Sequence, residues 1–324
     1  MNYIIFDLEW NQCPQGKTRE NPKLPFEIIE IGAIKLNEQR EEIGRFQEVI
    51  RPLVYRKLHF RTKEVIPVTQ DQLAHARTFS PVIRDFFRWC GEDCRFVTWG
   101  SLDLNELQRN MDYYRISNPL PKPLFYYDLQ KMFSILYDDG KSRMALEDAV
   151  DFLKIEKTIP FHRAFDDTYY TAEVMKKMDL DAVSWYESVD YHRPPQTREE
   201  EIFRDFKTYQ KFVSKTFATK EEMMADKVVT SLKCTCCGLP VWRRVRWFSA
   251  GANTYLALAQ CPRHGYVKGK IRIKKAADGN VFAVKTTKKA DPAAVAQIRG
   301  KKEQIKAKRR ERRGKKKTSK KTEA

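Results

Sequence analysis

No apolar run in this chain approaches the roughly 20 residues that a helix needs to cross a bilayer, which excludes a helical membrane span. The N-terminus, MNYIIFDLEW, has no basic stretch ahead of its apolar residues, so a secretory leader is not expected. A regular disulfide framework is missing too. Of seven cysteines, four crowd at Cys234, Cys236, Cys237 and Cys261, while Cys13, Cys90 and Cys94 follow no pairing pattern. Clustered cysteines beside a histidine point to metal binding in a reducing cytoplasm rather than to a stapled secreted scaffold. A net positive excess is missing over most of the length: residues 1–180 carry a net −2 and residues 181–225 another −2. The total of +18 therefore comes from residues 226–285, at +10, and residues 286–324, at +12. An acidic half joined to a basic appendage fits an enzyme whose cations neutralise its own acids while a second module recruits a polyanion.

What is present suffices for folded cores. The chain has 324 residues, 42% hydrophobic and 12% aromatic, enough for two modules with a connecting segment. Residues 3–10 are apolar and aromatic, as a central strand should be. EIIEIGAIKLNEQREEIGRFQEVIRP predicts two strands joined by a turn near residues 37–42. Helices follow from about Thr69, with Ser80-Pro81 signalling a second one. RFVTWG predicts a strand leading into a helix at Asp103, and helices are expected over 128–137, 144–153 and after His162. This alternation is α/β, and the first domain is expected to end near residue 180. A linker with YHRPPQ comes next. In residues 198–217, Ile202, Phe206, Tyr209, Val213 and Phe217 predict an amphipathic helix that docks on the first domain or serves as a dimer or partner contact. Residues 226–285 predict a small β-rich domain. Residues 286–324, rich in Lys and Arg and poor in aromatics, are expected to be a disordered basic tail.

Asp7 and Glu9 sit at i and i+2 on the first strand and so share a face. An Asp-x-Glu pair alone is common on solvated strands. Here Ile4, Ile5, Phe6, Leu8 and Trp10 surround it, and acids buried in such company must be paired or bind metal. Asp103 by itself would serve as an ordinary helix-start acid, and His162, Asp166 and Asp167 have equally ordinary roles at the start of a helix.

Their combination and order resemble the DEDDh branch of the DnaQ-like, RNase T-like 3′→5′ exonucleases over roughly residues 1–180. The Asp-x-Glu is followed by the EIIEIGA strand (residues 27–33), a W-G-x-x-D-like segment (99–103) and His-x4-Asp at His162 and Asp167. The resemblance implies an RNase H-like mixed sheet flanked by helices, beside the second, zinc-binding β-rich domain. It further implies that Asp7, Glu9, Asp103 and Asp167 hold two Mg2+ or Mn2+ ions, with His162 as general base. Leu8 and Trp10 would contact the terminal nucleotide, and the products would be nucleoside 5′-monophosphates. Asp166 falls one residue off the pattern. Oxygen ligands suit such hard cations, and two ions roughly 4 Å apart can serve phosphodiester hydrolysis.

Cys234 and Cys237, twenty-three residues, then Cys261 and His264 give paired knuckles of the kind that hold one structural zinc. Cys236 could replace Cys234 as ligand. Gly238 and Gly265 suit tight knuckle turns. Between the pairs, residues 239–260 predict two strands around 249–253. In WRRVRWF, Arg243, Arg244, Arg246 and Trp247 are candidate contacts to phosphates and bases; the other reading of these aromatics is a small structural core. The expected activity is thus a cytoplasmic, metal-dependent 3′→5′ exonuclease on single-stranded nucleic acid, RNA before DNA, with structured RNA among its targets and no membrane partner. A catalytically silent nucleic-acid-binding protein on the same fold and a proofreading subunit of a polymerase are the alternatives.

Overall fold

The computed structural model describes residues 1–206 and 208–322, with side chains for all of these except 309 and 312–322. The chain divides into two compact units, residues 1–192 and 193–324.

In the first unit, β1 (Asn2–Gln12) and β2 (Phe26–Leu36) form an antiparallel pair, and β3 (Glu42–Arg51) continues it after a turn at residues 37–41. Two short helices, α1 (Phe60–Val65) and α2 (Gln70–His75), lead to the two-residue β4 (Arg77–Thr78) and to α3 (Phe79–Cys90). Thr69 closes a capping box with Gln72 at the start of α2, the reason a helix begins there. Then come β5 (Cys94–Thr98), α4 (Leu102–Tyr113), β6 (Phe125–Asp128), α5 (Leu129–Tyr137), α6 (Leu146–Phe152), α7 (Ala164–Lys177) and β7 (Ser188–Val189). The sheet order is β4-β3-β2-β1-β5-β6-β7, with β1, β5 and β6 parallel and β2 antiparallel to β1. This is the RNase H-like mixed sheet expected from the sequence, with β1 at its centre.

Alternation along β1 divides its work. Ile4, Phe6 and Leu8 face one side and pack with Val82, Ile83 and Phe86 of α3 and with Leu104, Leu107 and Met111 of α4. Asp7 and Glu9 alternate with them and face the other side, where α7 lies on β1 and β2. That helix comes so close to Gly32 that a Cβ there would overlap the backbone of Ala164 and Phe165. Glycine at 32 therefore sets the depth of α7, and the Thr168 hydroxyl donates to Gly32 O at 3.0 Å across the contact.

The second unit corrects the expected helix over 198–217. Those residues form β8 (Ile202–Asp205) and β9 (Tyr209–Val213), an antiparallel pair. Two short helices, α8 (Lys220–Ala225) and α9 (Lys227–Thr230), precede β10 (Trp242–Gly251), β11 (Thr254–Cys261), β12 (Gly265–Lys275) and β13 (Val281–Lys289). All six strands form one sheet, β10-β11-β12-β13-β9-β8. The stripe that reads as helical is buried, but by strand pairing: Val213 lies opposite Val284 of β13 and Phe212 packs on Ile271 and Ala283. Aromatic and β-branched residues favour a strand once a sheet edge is available, and that edge is supplied by residues some seventy positions away.

The expected disordered tail is corrected as well. Residues 286–289 complete β13, and residues 292–322 form a helix, α10 (Pro292–Thr322). Ala290, Ala294, Val295 and Ile298 bury a short apolar face against Val245 and Leu258, so the start of the helix belongs to the core of this unit.

Candidate functional site

On β1, Asp7 and Glu9 meet Asp167 from the first turns of α7. One carboxylate oxygen from each lies within 4.8 Å of the others, a spacing that could hold a metal ion. Asp103 enters from the first turn of α4 and is 5% exposed. It is not the N-cap that its position suggests, because Ser101 occupies that place. The backbone N–H groups of Asp103 itself and of Leu8, between Asp7 and Glu9, face its carboxylate and hold its pKa down against burial. Four acids thus share one low-dielectric region. Burial first, and mutual repulsion second, push Asp7 well above the ordinary carboxylate range and Glu9 up to about 8. Asp103 rises to about 7, mainly through burial, and Asp167 is raised for the same reason. Such a cluster is unfavourable until protons or cations neutralise it.

His162 is exposed and lies at φ 72°, a left-handed conformation that few residues other than glycine adopt. That turn directs its backbone N–H to Asp167 Oδ1 at 3.2 Å. Next to it, Arg163 reaches back to β2 and clasps Glu30 with three hydrogen bonds of 2.7–3.0 Å. Glu30 is 0% exposed and sits opposite Glu9 in the strand register. Bidentate pairing of this kind fixes geometry as well as charge. In the sequence Glu30 stands out only as part of the EIIEIGA strand motif. A carboxylate within the apolar run IIEIGA was the signal for it, since an acid there needs a buried partner.

Two expectations about β1 fare differently. Leu8 is 2% exposed inside the apolar core, on the face opposite the carboxylates, so its side chain is not placed to touch a nucleotide. Trp10 is half-buried and meets the Phe26 ring at 5.5 Å. Asp166 is half-buried on the helix start and lies outside the group that could hold a metal.

In the second unit, Cys234, Cys237, Cys261 and His264 converge within 4.8 Å. Cys234 Sγ and Cys261 Sγ each lie 3.5 Å from His264 Nδ1, and Cys237 Sγ lies 3.9 Å from Cys261 Sγ. Tetrahedral zinc with bonds of about 2.3 Å to sulfur has edges of about 3.8 Å, so these donors fit that ion. Cys234 is the member of the set; Cys236 is exposed and contributes only its backbone N–H to Cys234 Sγ. Burial opposes ionisation of Cys234, but the N–H groups of Cys236 and Cys237 outweigh it and hold the thiol below its ordinary pKa. Cys261 is lowered in the same way, against burial, by the N–H groups of Arg263 and His264. Gly238 and Gly265 take positive φ, 70° and 79°, at the two knuckles.

Of the candidate nucleic-acid contacts, Arg243, Arg244 and Arg246 are exposed on the edge strand β10. Trp247 is not available in the same way. Its ring fills the space over Gly269 beside Leu232, and its Nε1 donates to Thr230 O at 2.8 Å. The exposed aromatic of this strand is Trp242, at 66%.

A family model of the RNase T exonucleases matches residues 4–175, the segment that carries all of the carboxylates described above. The chain belongs to this exonuclease family. It is accordingly an enzyme, a hydrolase of the exonuclease class. Among its relatives, the probable 3′-5′ exonuclease KapD of Bacillus subtilis is 27% identical over 179 residues, 55% of this chain and 84% of KapD. The 3′-5′ exoribonuclease 1 of Homo sapiens is 26% identical over 187 residues, 55% of this chain but only 52% of that protein, so the match spans about half of its length. A solved nuclease domain of 3′hExo, described as a DEDDh family member bound to rAMP, is 22% identical, covers 58% of this chain and 96% of that one, and superposes with a TM-score of 0.49. The family match lies entirely within the first unit.

Proposed function

We propose that the chain is a metal-dependent 3′→5′ exonuclease that shortens single-stranded nucleic acid, RNA in preference to DNA, and releases nucleoside 5′-monophosphates. The observation that carries this reading is the convergence of Asp7, Glu9 and Asp167 beside buried Asp103. Acids raised this far by burial and by one another are unfavourable alone and suited to binding hard divalent cations. Asp7, Glu9, Asp103 and Asp167 would hold two Mg2+ or Mn2+ ions. When bound, such ions lower the pKa of water and neutralise charge on a phosphodiester in the transition state.

The rest falls to the chain's own residues. His162, exposed beside Asp167, accepts the proton of the attacking water at a ring nitrogen, a task for which an imidazole is the commonest side chain. Trp10, at the rim of the core, bounds the place of the terminal base. Arg163 and Glu30 act by positioning, since their clasp holds the turn that presents His162 and Asp167. The preference for RNA is supported by the human relative's designation as an exoribonuclease.

In the second unit, Cys234, Cys237, Cys261 and His264 would hold one structural zinc. The basic strand β10, with Arg243, Arg244, Arg246 and exposed Trp242, would retain the substrate by phosphate contacts and stacking. Among the described residues no helix is long and apolar enough to cross a membrane, and the cysteines are free thiols; we place the enzyme's work in the cytoplasm.

The test is degradation of matched 5′-labelled single-stranded RNA and DNA in Mg2+ or Mn2+, wild type beside His162→Ala. A ladder shortening from the 3′ end, faster on RNA and lost in the variant, is expected. Retained salt-sensitive binding with no cleavage of either strand would sink the reading in favour of a silent binding protein.

A further inference from the structure

The strand β12 lies inside the sheet of the second unit, between β11 and β13, yet one of its faces is cationic. Val267, Gly269 and Ile271 are buried on the side that Trp247 covers. Lys268, Lys270 and Arg272 alternate with them on the other side, the first two half-buried and the third exposed. Opposite charges set across a sheet stabilise it, and like charges oppose it. Here the cross-strand neighbours are Leu258 and Lys288 for Lys268, Leu256 and Thr286 for Lys270, and Thr254 and Val284 for Arg272. None is acidic, and one is a further lysine.

The helix α10 crosses the same face. Its Ala294 and Ile298 share an apolar cluster with Leu258, and Arg299 donates to the Tyr266 hydroxyl at 3.1 Å with its guanidinium 5.6 Å from the ring. Exposed Lys301 follows on the helix. Burial first, then the positive charges of Arg272 and Lys301, push the Lys270 ammonium below its ordinary pKa. None of Lys268, Lys270, Arg272 and Lys301 has a carboxylate partner among the described residues. The helix is thus the wall, and β12 the floor, of a trough whose cations repel one another.

A polyanion relieves such repulsion, and the chemistry of the trough selects among polyanions. Tyr266, the aromatic in line with the row, lies under Arg299. A base therefore has no ring to stack on there, and single strands bind largely through such stacking. A double helix needs none, because its bases are turned inward and its phosphates outward. It carries about one charge per 1.7 Å of axis, so several phosphates can face the ~13 Å from Lys268 to Arg272 at ~3.3 Å per residue. An acidic protein fits less well. Stable protein contacts centre on apolar and aromatic anchors, and Leu258 and Val284, apolar neighbours of the row, are already buried.

We propose that the face of β12 beside α10, with Lys268, Lys270, Arg272 and Lys301, binds the phosphate backbone of a nucleic-acid double helix. This surface lies two strands away from the β10 edge, where exposed Trp242 can stack on an unpaired base. The second unit then holds the paired part of a substrate on β12 and its unpaired end on β10. Only that division rests on the function proposed above; the surface itself does not need the carboxylates.

The test is binding by the full chain, without added Mg2+ or Mn2+, of a blunt RNA duplex, a DNA duplex of the same sequence and a short unstructured single strand, each at several salt concentrations. Lys268→Gln, Lys270→Gln and Arg272→Gln combined are expected to reduce the slope of log affinity against log salt on a duplex by about 2.7, three contacts at ~0.9 each. Single-strand binding should stay at the wild-type value. Trp242→Ala should do the reverse and weaken the single strand alone. Lys301→Glu alters only an exposed helix position, and its expected loss of duplex binding keeps the test sound should the triple variant fold poorly. Binding of either duplex with these losses supports the surface, and the tighter one names the helix it prefers. Equal losses on duplex and single strand would overturn the proposal by showing one shared basic surface. Wild type that binds neither duplex, or a duplex slope unchanged in the variants, would overturn it outright, and displacement of the duplex by poly-aspartate as readily as by more duplex would assign the trough to an acidic protein instead. Duplex binding kept while no strand is degraded in Mg2+ would remove the exonuclease reading and leave this surface standing.

Discussion

The carboxylate cluster and the cysteine–histidine cluster solve opposite electrostatic problems. In the first unit, Asp7, Glu9 and Asp103 are forced together where burial makes ionisation costly, and their pKa values rise. In the second, Cys234 and Cys261 are met by knuckle N–H groups that favour the thiolate, and their pKa values fall, while Cys237, despite the Leu239 N–H, is raised by burial and by the two thiols beside it. A cluster of the first kind stays strained until a cation arrives, which suits a site that must exchange ions and substrate. A cluster of the second kind is prepared for its cation in advance, which suits a permanent structural site. The difference implies that removing the first set of ligands should remove chemistry and spare the fold, whereas removing the second should damage the fold of its unit and leave chemistry elsewhere.

The largest expected effect comes from Asp7→Ala. Metal-dependent cleavage should fall by a factor on the order of 10³ or more, about 4 kcal/mol at ~1.4 kcal/mol per decade, while nucleic-acid binding through residues 193–324 persists. The metal-free variant should be no less stable than wild type, since one of the repelling acids is gone. Normal cleavage by the variant, measured on labelled oligonucleotide, would mean that the carboxylate site is wrongly placed.

Cys261→Ser tests the other side. The second unit should lose its metal and unfold at lower temperature, because binding energy at a structural zinc is folding energy. Substrate retention should weaken most at higher salt, with the carboxylates unaffected. Metal analysis together with binding at two salt concentrations decides it; unchanged retention would leave the knuckles a purely structural role.

Opposite pH dependences sharpen the contrast further. Glu9 is raised from about 4.5 unfolded to about 8 folded, so the folded first unit holds protons that the unfolded chain releases. Its contribution is complete below about pH 4.5 and is lost as pH rises toward 8. In metal-free protein, the protection of the β1 amides, relative to intrinsic exchange, should fall over that window, and Mg2+ should abolish the trend by replacing the protons. Cys234 and Cys261 are lowered, so their contribution is present above the unfolded thiol pKa and is lost as pH falls through the folded one. Cys237, which is raised, opposes the two lowered thiols; with two against one, the protection of the β11 amides, relative to intrinsic exchange, should fall as pH falls. A common direction in both strands would contradict the assignment of costly acids and favoured thiolates.

The sequence made the first unit legible because its signals were local. Alternation in β1 put Asp7 and Glu9 on one face, and ordered motifs brought Asp103, His162 and Asp167 to them. What stayed hidden depended on distant partners. Glu30 means little until Arg163 folds back on it, and Gly32 gives no sign that α7 will press against its backbone. The stripe from Ile202 to Phe217 fits helical spacing and strand pairing alike; only the free edge of β13 decides in favour of the sheet. The apolar residues at 290–298 were masked by the lysines and arginines after them, although four apolar contacts suffice to anchor a helix start. Trp247 and Trp242 look equivalent in the sequence, and the small side of Gly269 takes one of them into the core.

The smallest predicted effect concerns the exposed arginines of β10. Arg243 and Arg246 stand on an edge strand with no carboxylate partner among the described residues, so each is free to meet a phosphate. Each such contact to single-stranded nucleic acid releases about 0.7 counterion. Changing both to alanine should therefore reduce the slope of log affinity against log salt by about 1.4, which a titration at four or five salt concentrations can resolve. Trp242→Ala, by contrast, should lower affinity by ~1–3 kcal/mol through lost stacking and leave the slope untouched. If the arginine variant kept the wild-type slope, the basic face of the second unit would not lie on the substrate. Retention would then have to come from elsewhere, and the contrast between a cutting unit and a holding unit would fail at its second term.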